Sequence, residues 1–152
     1  MGATVVATSS SAEKLARLKA RGADYLINYQ DHPEWGEEAA ALTGGVHGVV
    51  EIGGPGTMGQ SIRAYRIGGH ISLIRVLTGV SGGDPHRVGD VKNVTIKGVT
   101  VGSIQDQEDM IAAIEVAGLK PVIDSTYLLD RIAAAFTYQI SQKHFGKTCL
   151  EL

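Results

Sequence analysis

Two rhythms of hydrophobic and polar positions alternate along the chain. Short apolar runs occur at Ala3 to Thr8, Tyr25 to Asn28, Gly48 to Ile52, His70 to Ile74 and Val94 to Val101. Their length and β-branched content predict strands, and Val5-Val6-Ala7 and Val49-Val50 have no polar face, as in strands buried on both sides. Between them the period lengthens. Leu15 and Leu18, with Ala12 and Ala16, form the apolar stripe of a helix closed by Gly22. Glu34 to Leu42, closed by Thr43-Gly44-Gly45, and Thr57 to Tyr65 read as two more. Met110, Ile111, Ile114 and Ala117 share one face of a helix predicted at Glu108 to Ala117. Ile132, Phe136 and Ile140 do so on a last helix opening at Leu129-Asp130. Lys147 to Leu152 alternates like a strand with one exposed face, and Thr78 to Asp90 has the composition of a loop.

Strands alternating with short helices imply right-handed βαβ units, so the predicted fold class is α/β: a doubly wound, mainly parallel sheet. No internal repeat, low-complexity tract or linker interrupts it, and residues 1–152 read as one unit. The opening strand and helix read as the second strand of a dinucleotide-binding domain and the helix after it. The first strand and its glycine-rich phosphate turn are then expected ahead of Met1. In the strand order 3-2-1-4-5-6 that strand separates the second from the fourth. Without it the sheet has a gap, closed by direct pairing of the flanking strands, by a segment swapped from another copy, or by a separate polypeptide.

Composition narrows the function classes. The 152 residues are 43% hydrophobic and include 20 glycines, in keeping with an α/β fold and its tight strand-to-helix turns. A net charge of −2, with no block of lysine or arginine, argues against a nucleic-acid surface. A single cysteine, Cys149, excludes an internal disulfide and fits a reducing compartment. With no signal peptide and no run of about 18 apolar residues, the expectation is a cytoplasmic protein without a membrane partner. His32, His47, His70, His86 and His144 are scattered, and none stands at ligand spacing from Cys149, so no metal site is expected in this chain. Neither a G-x-S-x-G elbow nor a P-loop is present.

Four stretches could carry chemistry. At the end of the first strand an acid would hydrogen-bond the ribose hydroxyls of NAD and repel the extra phosphate of NADP. Thr8-Ser9-Ser10-Ser11 stands there instead, with Lys14 and Arg17 on the following helix, and hydroxyls, a helix N-terminus and cations favour a phosphate. The competing structural reading is that Ser10 caps the helix, with Glu13 at capping-box spacing, and that Lys14 is a solvated cation. In Glu51-Ile-Gly-Gly-Pro-Gly56 the glycines allow a ligand to approach backbone at the carboxyl edge of the sheet, though a plain turn also needs them. Arg75 could meet a phosphate or be a surface cation. His144-Phe-Gly-Lys147 sets an aromatic, a glycine and a cation before the last strand.

The order of the pieces adds to this. Gly2-Ala-Thr-Val-Val-Ala-Thr-Ser-Ser, Leu15-Ala-Arg-Leu-Lys-Ala-Arg-Gly-Ala-Asp24, Ile27-Asn-Tyr29, Trp35-Gly-Glu and Val50-Glu-Ile-Gly-Gly follow one another. Gly68-Gly-His-Ile-Ser-Leu-Ile74, Lys120-Pro-Val-Ile-Asp124 and His144-Phe-Gly-Lys147 complete the series. Together they resemble the medium-chain dehydrogenase/reductase superfamily, in its zinc-type alcohol dehydrogenase and quinone oxidoreductase branch. The resemblance runs from Gly2 to Leu152 and covers only the cofactor-domain part of a family member. It implies a Rossmann-like domain and a nicotinamide dinucleotide, NADP(H) by preference with NAD as the other candidate, and no zinc in this chain.

The resemblance also implies residue roles. Adenosine-phosphate contacts would fall on Ser9, Ser10 and Lys14, with Tyr29 beside them. Contacts along the cofactor and its nicotinamide would fall on Gly53, Ile74, Gly102 and Ser103. Phe145 and Lys147 belong to the segment returning past the nicotinamide, where 144–152 would lead back to the catalytic domain. The strand Val94 to Val101 is the edge through which family members dimerise, so a homo-oligomer is expected. No catalytic acid or base is assigned, since Tyr65, Tyr127 and Tyr138 fit helix or strand faces. Arg75 departs from the family, which commonly has glycine there. The implied function is the cofactor-binding portion of an NADP(H)-dependent oxidoreductase, inactive without its catalytic domain. The alternatives are a non-enzymatic remnant or split subunit that binds a protein partner and no nucleotide, or another phosphate binder on the same scaffold.

Overall fold

The structure, a computed structural model, describes residues 2–75, 77, 79 and 93–152. The loop expected from Thr78 to Asp90 lies, Gly79 aside, outside them. Contacts gather into two units, 1–100 and 101–152, where the sequence pattern reads one over 1–152.

In the first unit the chain runs β1 (Val6–Ser9), α1 (Ala12–Ala20), β2 (Tyr25–Asn28), α2 (Trp35–Thr43) and β3 (Val46–Glu51). It continues through α3 (Pro55–Ala64), β4 (Tyr65–Leu73) and β5 (Thr95–Gly98). Every strand pairing is parallel, so the doubly wound α/β class holds. β1 pairs with β2 from Val6 opposite Tyr25 to Ser9 opposite Asn28, and β3, β4 and β5 form a second sheet in that order. β1 and β3 are not hydrogen-bonded neighbours, so the strands flanking the expected gap do not close it by pairing.

What joins the two sheets is the helix layer. α2 packs against β2, β3, β4 and α3, and Ile27 of β2, Ala39 of α2 and Ala64 of α3 are buried together with Val6, Trp35 and Val46 around them. A second cluster, Ile62, Tyr65 and Ile71, lies where α3 turns into β4. Tyr65 is fully buried, which pushes its phenol above the usual range. α2 ends at Gly44 in the left-handed region, φ +72°, as its glycine pair predicts.

Two of the helix starts differ from expectation for capping reasons. β1 stays paired through Ser9, so the chain leaves the strand one residue late. The Ser9 hydroxyl then accepts from Ser11 N–H, and Ser11, extended at φ −114°, caps α1 by accepting from Lys14 N–H. The expected Ser10–Glu13 box is therefore not formed, since the third helical residue after the cap is Lys14.

The second unit holds α4 (Ile104–Val116), β6 (Ile123–Leu128), a 3₁₀ turn (Leu129–Arg131), α5 (Ile132–Ile140) and β7 (Lys147–Glu151). A capping box between Ser103 and Asp106 starts α4 well before the predicted Glu108. β6 escapes the hydrophobic pattern because Asp124, Ser125 and Thr126 are polar. It is nevertheless a strand, paired in parallel with β7 under α5, whose Ala135 is buried.

Candidate functional site

Parallel pairing brings strand ends together, and that is how the candidate residues of the first unit find one another. Ser9 and Asn28 are register partners, and the Tyr29 N–H donates to the Ser9 carbonyl at 3.2 Å. Tyr29, 43% exposed, thus stands beside the β1–α1 turn carrying Ser10 and Lys14. The Ser9 and Ser11 hydroxyls each accept a backbone N–H within this turn. Ser10 takes no part in the cap and its side chain is exposed. Lys14 occupies the first turn of α1 and is half-buried. No carboxylate stands on this turn before Glu13.

The second strand end is built around a carboxylate. Glu51 and Leu73 are register partners at the ends of β3 and β4, and the Ile74 N–H donates to the Glu51 carbonyl at 2.9 Å. Gly53 and Ile74 are thereby set on adjacent strand ends, with Ile74 42% exposed. Glu51 itself is only 3% exposed. Its Oε1 accepts from Gly53 N–H at 2.7 Å, Gly54 N–H at 2.9 Å and the Thr57 hydroxyl at 2.6 Å. Its Oε2 accepts from the Ser61 hydroxyl. A Cβ on Gly53 would collide with the Thr57 side chain, and Gly54 sits at φ +88°, ψ −142°, a region open to glycine alone. Both glycines are thus required by the turn itself. Sequence reasoning passed over Glu51; the T-x-x-x-S spacing of Thr57 and Ser61 on one helix face, below a strand-end acid, was the available signal.

In the second unit Gly102 and Ser103 precede α4. The Ser103 hydroxyl accepts from Asp106 N–H and donates to Asp106 Oδ2 at 2.7 Å, and the Ser103 N–H reaches the same oxygen at 2.7 Å. Hydrogen bonds from the Ser103 side chain and backbone hold the Asp106 carboxyl below its ordinary value. Asp124 organises the other candidate segment: it accepts from the Tyr138 hydroxyl at 2.8 Å and from Phe145 N–H at 3.0 Å. Lys147 N–H donates to the Val122 carbonyl at 2.8 Å and begins β7. Tyr65 and Tyr138 are thus engaged in core and scaffold. Among the described residues, no group of three or more His, Cys, Asp or Glu side chains could hold a metal, and no helix is long and apolar enough to cross a membrane.

Comparison with known proteins agrees with this architecture. Residues 1–117 match the family model of the zinc-binding dehydrogenases, and the chain belongs to that family. It is 39% identical to a zinc-type alcohol dehydrogenase-like protein of Schizosaccharomyces pombe, over 99% of this chain and 45% of that protein. A solved NAD-dependent alcohol dehydrogenase superposes with a TM-score of 0.89 at 33% identity, over 99% of this chain and 44% of that one. A quinone oxidoreductase from Pseudomonas syringae pv. tomato DC3000 superposes with a TM-score of 0.83 at 26% identity, over 99% and 50%. The chain therefore spans about half the length of such relatives. Its place is in the Rossmann-like cofactor domain of the medium-chain dehydrogenase/reductase enzymes.

Proposed function

We propose that the chain is the cofactor-binding portion of an NADP(H)-dependent oxidoreductase of the alcohol dehydrogenase and quinone oxidoreductase type, inactive without a catalytic domain. The observation that carries the NADP preference is the β1–α1 turn. β1 ends in Ser9 where an acid would select NAD; Ser10 is exposed because Ser11 makes the cap, and Lys14 lies on the first helical turn. Ser9, Ser10 and Lys14, with Tyr29, would hold the adenosine phosphate. Gly53 and Ile74, Gly102 and Ser103, and Phe145 and Lys147 would serve the rest of the cofactor. When bound, the nicotinamide supplies hydride transfer to or from a carbonyl, quinone or alcohol; this chain's part is to bind and orient it.

The assembly reading follows from the sheet. β5 closes one edge of its sheet and all four of its residues are exposed, which supports dimerisation edge to edge through Val94 to Val101. A single cysteine, Cys149, leaves no internal disulfide to form and is in keeping with the cytoplasmic setting proposed for the chain.

Calorimetric titration with NADPH and, separately, NADH tests the proposal. Micromolar NADPH binding, weakened about tenfold by Lys14→Ala as loss of one charged phosphate contact implies, supports it. Tighter binding of NADH than NADPH overturns the preference. Binding of neither at millimolar concentration leaves the partner-binding reading.

A further inference from the structure

The segment His144 to Lys147 is held from an irregular point in β6. We propose that Asp124 is a positioning residue, fixing the backbone of Phe145 to Lys147 for the part of the cofactor that this segment would receive. This role deepens the cofactor reading above and rests on it, since that reading assigns Phe145 and Lys147 to the cofactor.

β6 and β7 pair in parallel, with Ile123 opposite Lys147 and Ser125 opposite Thr148. Two steps along β6 therefore match one along β7, and Asp124 is the extra residue of a β-bulge. A bulge takes a residue out of the ladder and re-aims its side chain. Here the carboxyl turns to two groups well beyond β6 in the chain. Oδ2 accepts from the Tyr138 hydroxyl of α5 at 2.8 Å, and Oδ1 accepts from the Phe145 N–H at 3.0 Å. Tyr138 is itself braced, its ring meeting those of Tyr127 and His144 at centroid distances of 6.3 Å each. The far end of the segment is fixed by backbone. The Lys147 N–H donates to the Val122 carbonyl at 2.8 Å, and Gly146, at φ +109°, lies against that same carbonyl, where a Cβ would collide. Val122 and Asp124 thus pin Lys147 and Phe145 from either side of Ile123, while Gly146 and the Lys147 side chain stay exposed.

Closing the turn needs only the second of these anchors. The Gly146 and Lys147 contacts would lead the chain into β7 without an acid in β6, where aspartate is a poor strand former. What Asp124 adds is a fixed amide at Phe145 and a link from it to α5. A binding segment ordered before its ligand arrives has less freedom to lose on binding, so its affinity rises.

Two ligands separate the order of this segment from the stability of the fold. NADPH and 2′,5′-ADP are titrated calorimetrically into the full chain, and heteronuclear NOEs of Phe145, Gly146 and Lys147 are recorded on ¹⁵N-labelled samples. Asp124→Ala removes both hydrogen bonds and should lower those NOEs. It should weaken NADPH about tenfold, the order expected for re-ordering one residue of backbone. Binding of 2′,5′-ADP, which lacks the nicotinamide half, should not change. Asp124→Asn keeps an oxygen for the Phe145 amide and offers an N–H to the Tyr138 hydroxyl, so it should restore NADPH to within about twofold of the wild type. Tyr138→Phe keeps the Phe145 bond, should fall between the two, and carries the test if the alanine variant does not fold. Equal loss of both ligands in every folded variant would mean a role in the fold alone and overturns the proposal. So does unchanged NADPH affinity in a variant whose segment has loosened, or an unchanged NOE in Asp124→Ala. If the wild type binds neither ligand, the cofactor reading falls and the positioning role with it. A wild type that binds NADPH beside variants that bind it equally well overturns the positioning role alone.

Discussion

Gly36→Ala sets two effects of known size against each other. Gly36 is the second residue of α2, and glycine there costs up to about 1 kcal/mol relative to alanine in helix propensity. On propensity alone the substitution stabilises. The packing says otherwise: a Cβ on Gly36 would fall on the backbone carbonyl of Gln60 in α3, which cannot swing aside as a side-chain tip can. Its N–H also donates to Gln60 Oε1 at 2.9 Å. Overpacking costs about 1–3 kcal/mol and a lost hydrogen bond about 0.5–1.5 kcal/mol, so the expected net destabilisation is about 1–3 kcal/mol. The loss strikes the helix layer that joins the β1–β2 pair to the β3–β4–β5 sheet. Trp35, the single tryptophan, packs on the core cluster beside Gly36, so its fluorescence in a urea titration reports this region directly. Gly59→Ala in α3 is the control, since its Cβ would enter open space and should gain up to about 1 kcal/mol. A Gly36→Ala chain as stable as the wild type, or a Gly59→Ala chain equally weakened, would refute the close α2–α3 contact.

Four further outcomes are expected. Ser9→Asp places a carboxylate at the end of β1 and should shift preference from NADPH toward NADH by about tenfold or more, read by paired calorimetric titrations; an unchanged ratio removes β1 as the selector. Ile62→Ala, truncating a residue of zero exposure, should cost about 2–5 kcal/mol in denaturant midpoint analysis, against less than about 0.5 for Ile140→Ala, which is 78% exposed. Tyr138→Phe should cost about 1 kcal/mol and speed amide exchange at Phe145, since both share Asp124; unchanged exchange would show that the carboxylate holds the turn without the phenol. Asp106 has a lowered folded pKa, so its capping contribution is complete above the ordinary carboxylate range and is lost as pH falls through the depressed value. Protection factors at the Ser103 and Asp106 amides, corrected for intrinsic exchange, should therefore fall only on strong acidification, and an Asp106 carboxyl titrating at or above the usual range by NMR would contradict this.

Periodicity was enough to place β2 at Tyr25–Asn28, to place α2 within one residue of Trp35–Thr43, which ends at Gly44, and to give the parallel order of the first unit. It also marked the turn at Ser9-Ser10 and the segment His144 to Lys147 as candidates. Local hydrogen bonds escaped it. Which of three consecutive serines caps α1 depends on how far β1 stays paired with β2, a non-local fact, and the answer exposes Ser10. β6 hid behind Asp124, Ser125 and Thr126; in the tertiary structure Asp124 holds Tyr138 and Phe145, and Ser125 meets Thr148. Glu51 reads in sequence as one acid at a strand end. Only folding brings two glycine amides, Thr57 and Ser61 around it, because the turn into α3 sets residues 53 to 61 on one side of its carboxylate. What a sequence determines by itself is whatever depends on neighbours along the chain: period, caps in outline, and glycines at stops. What the tertiary structure decided here is which polar groups are spent on one another, and so which are left for a ligand.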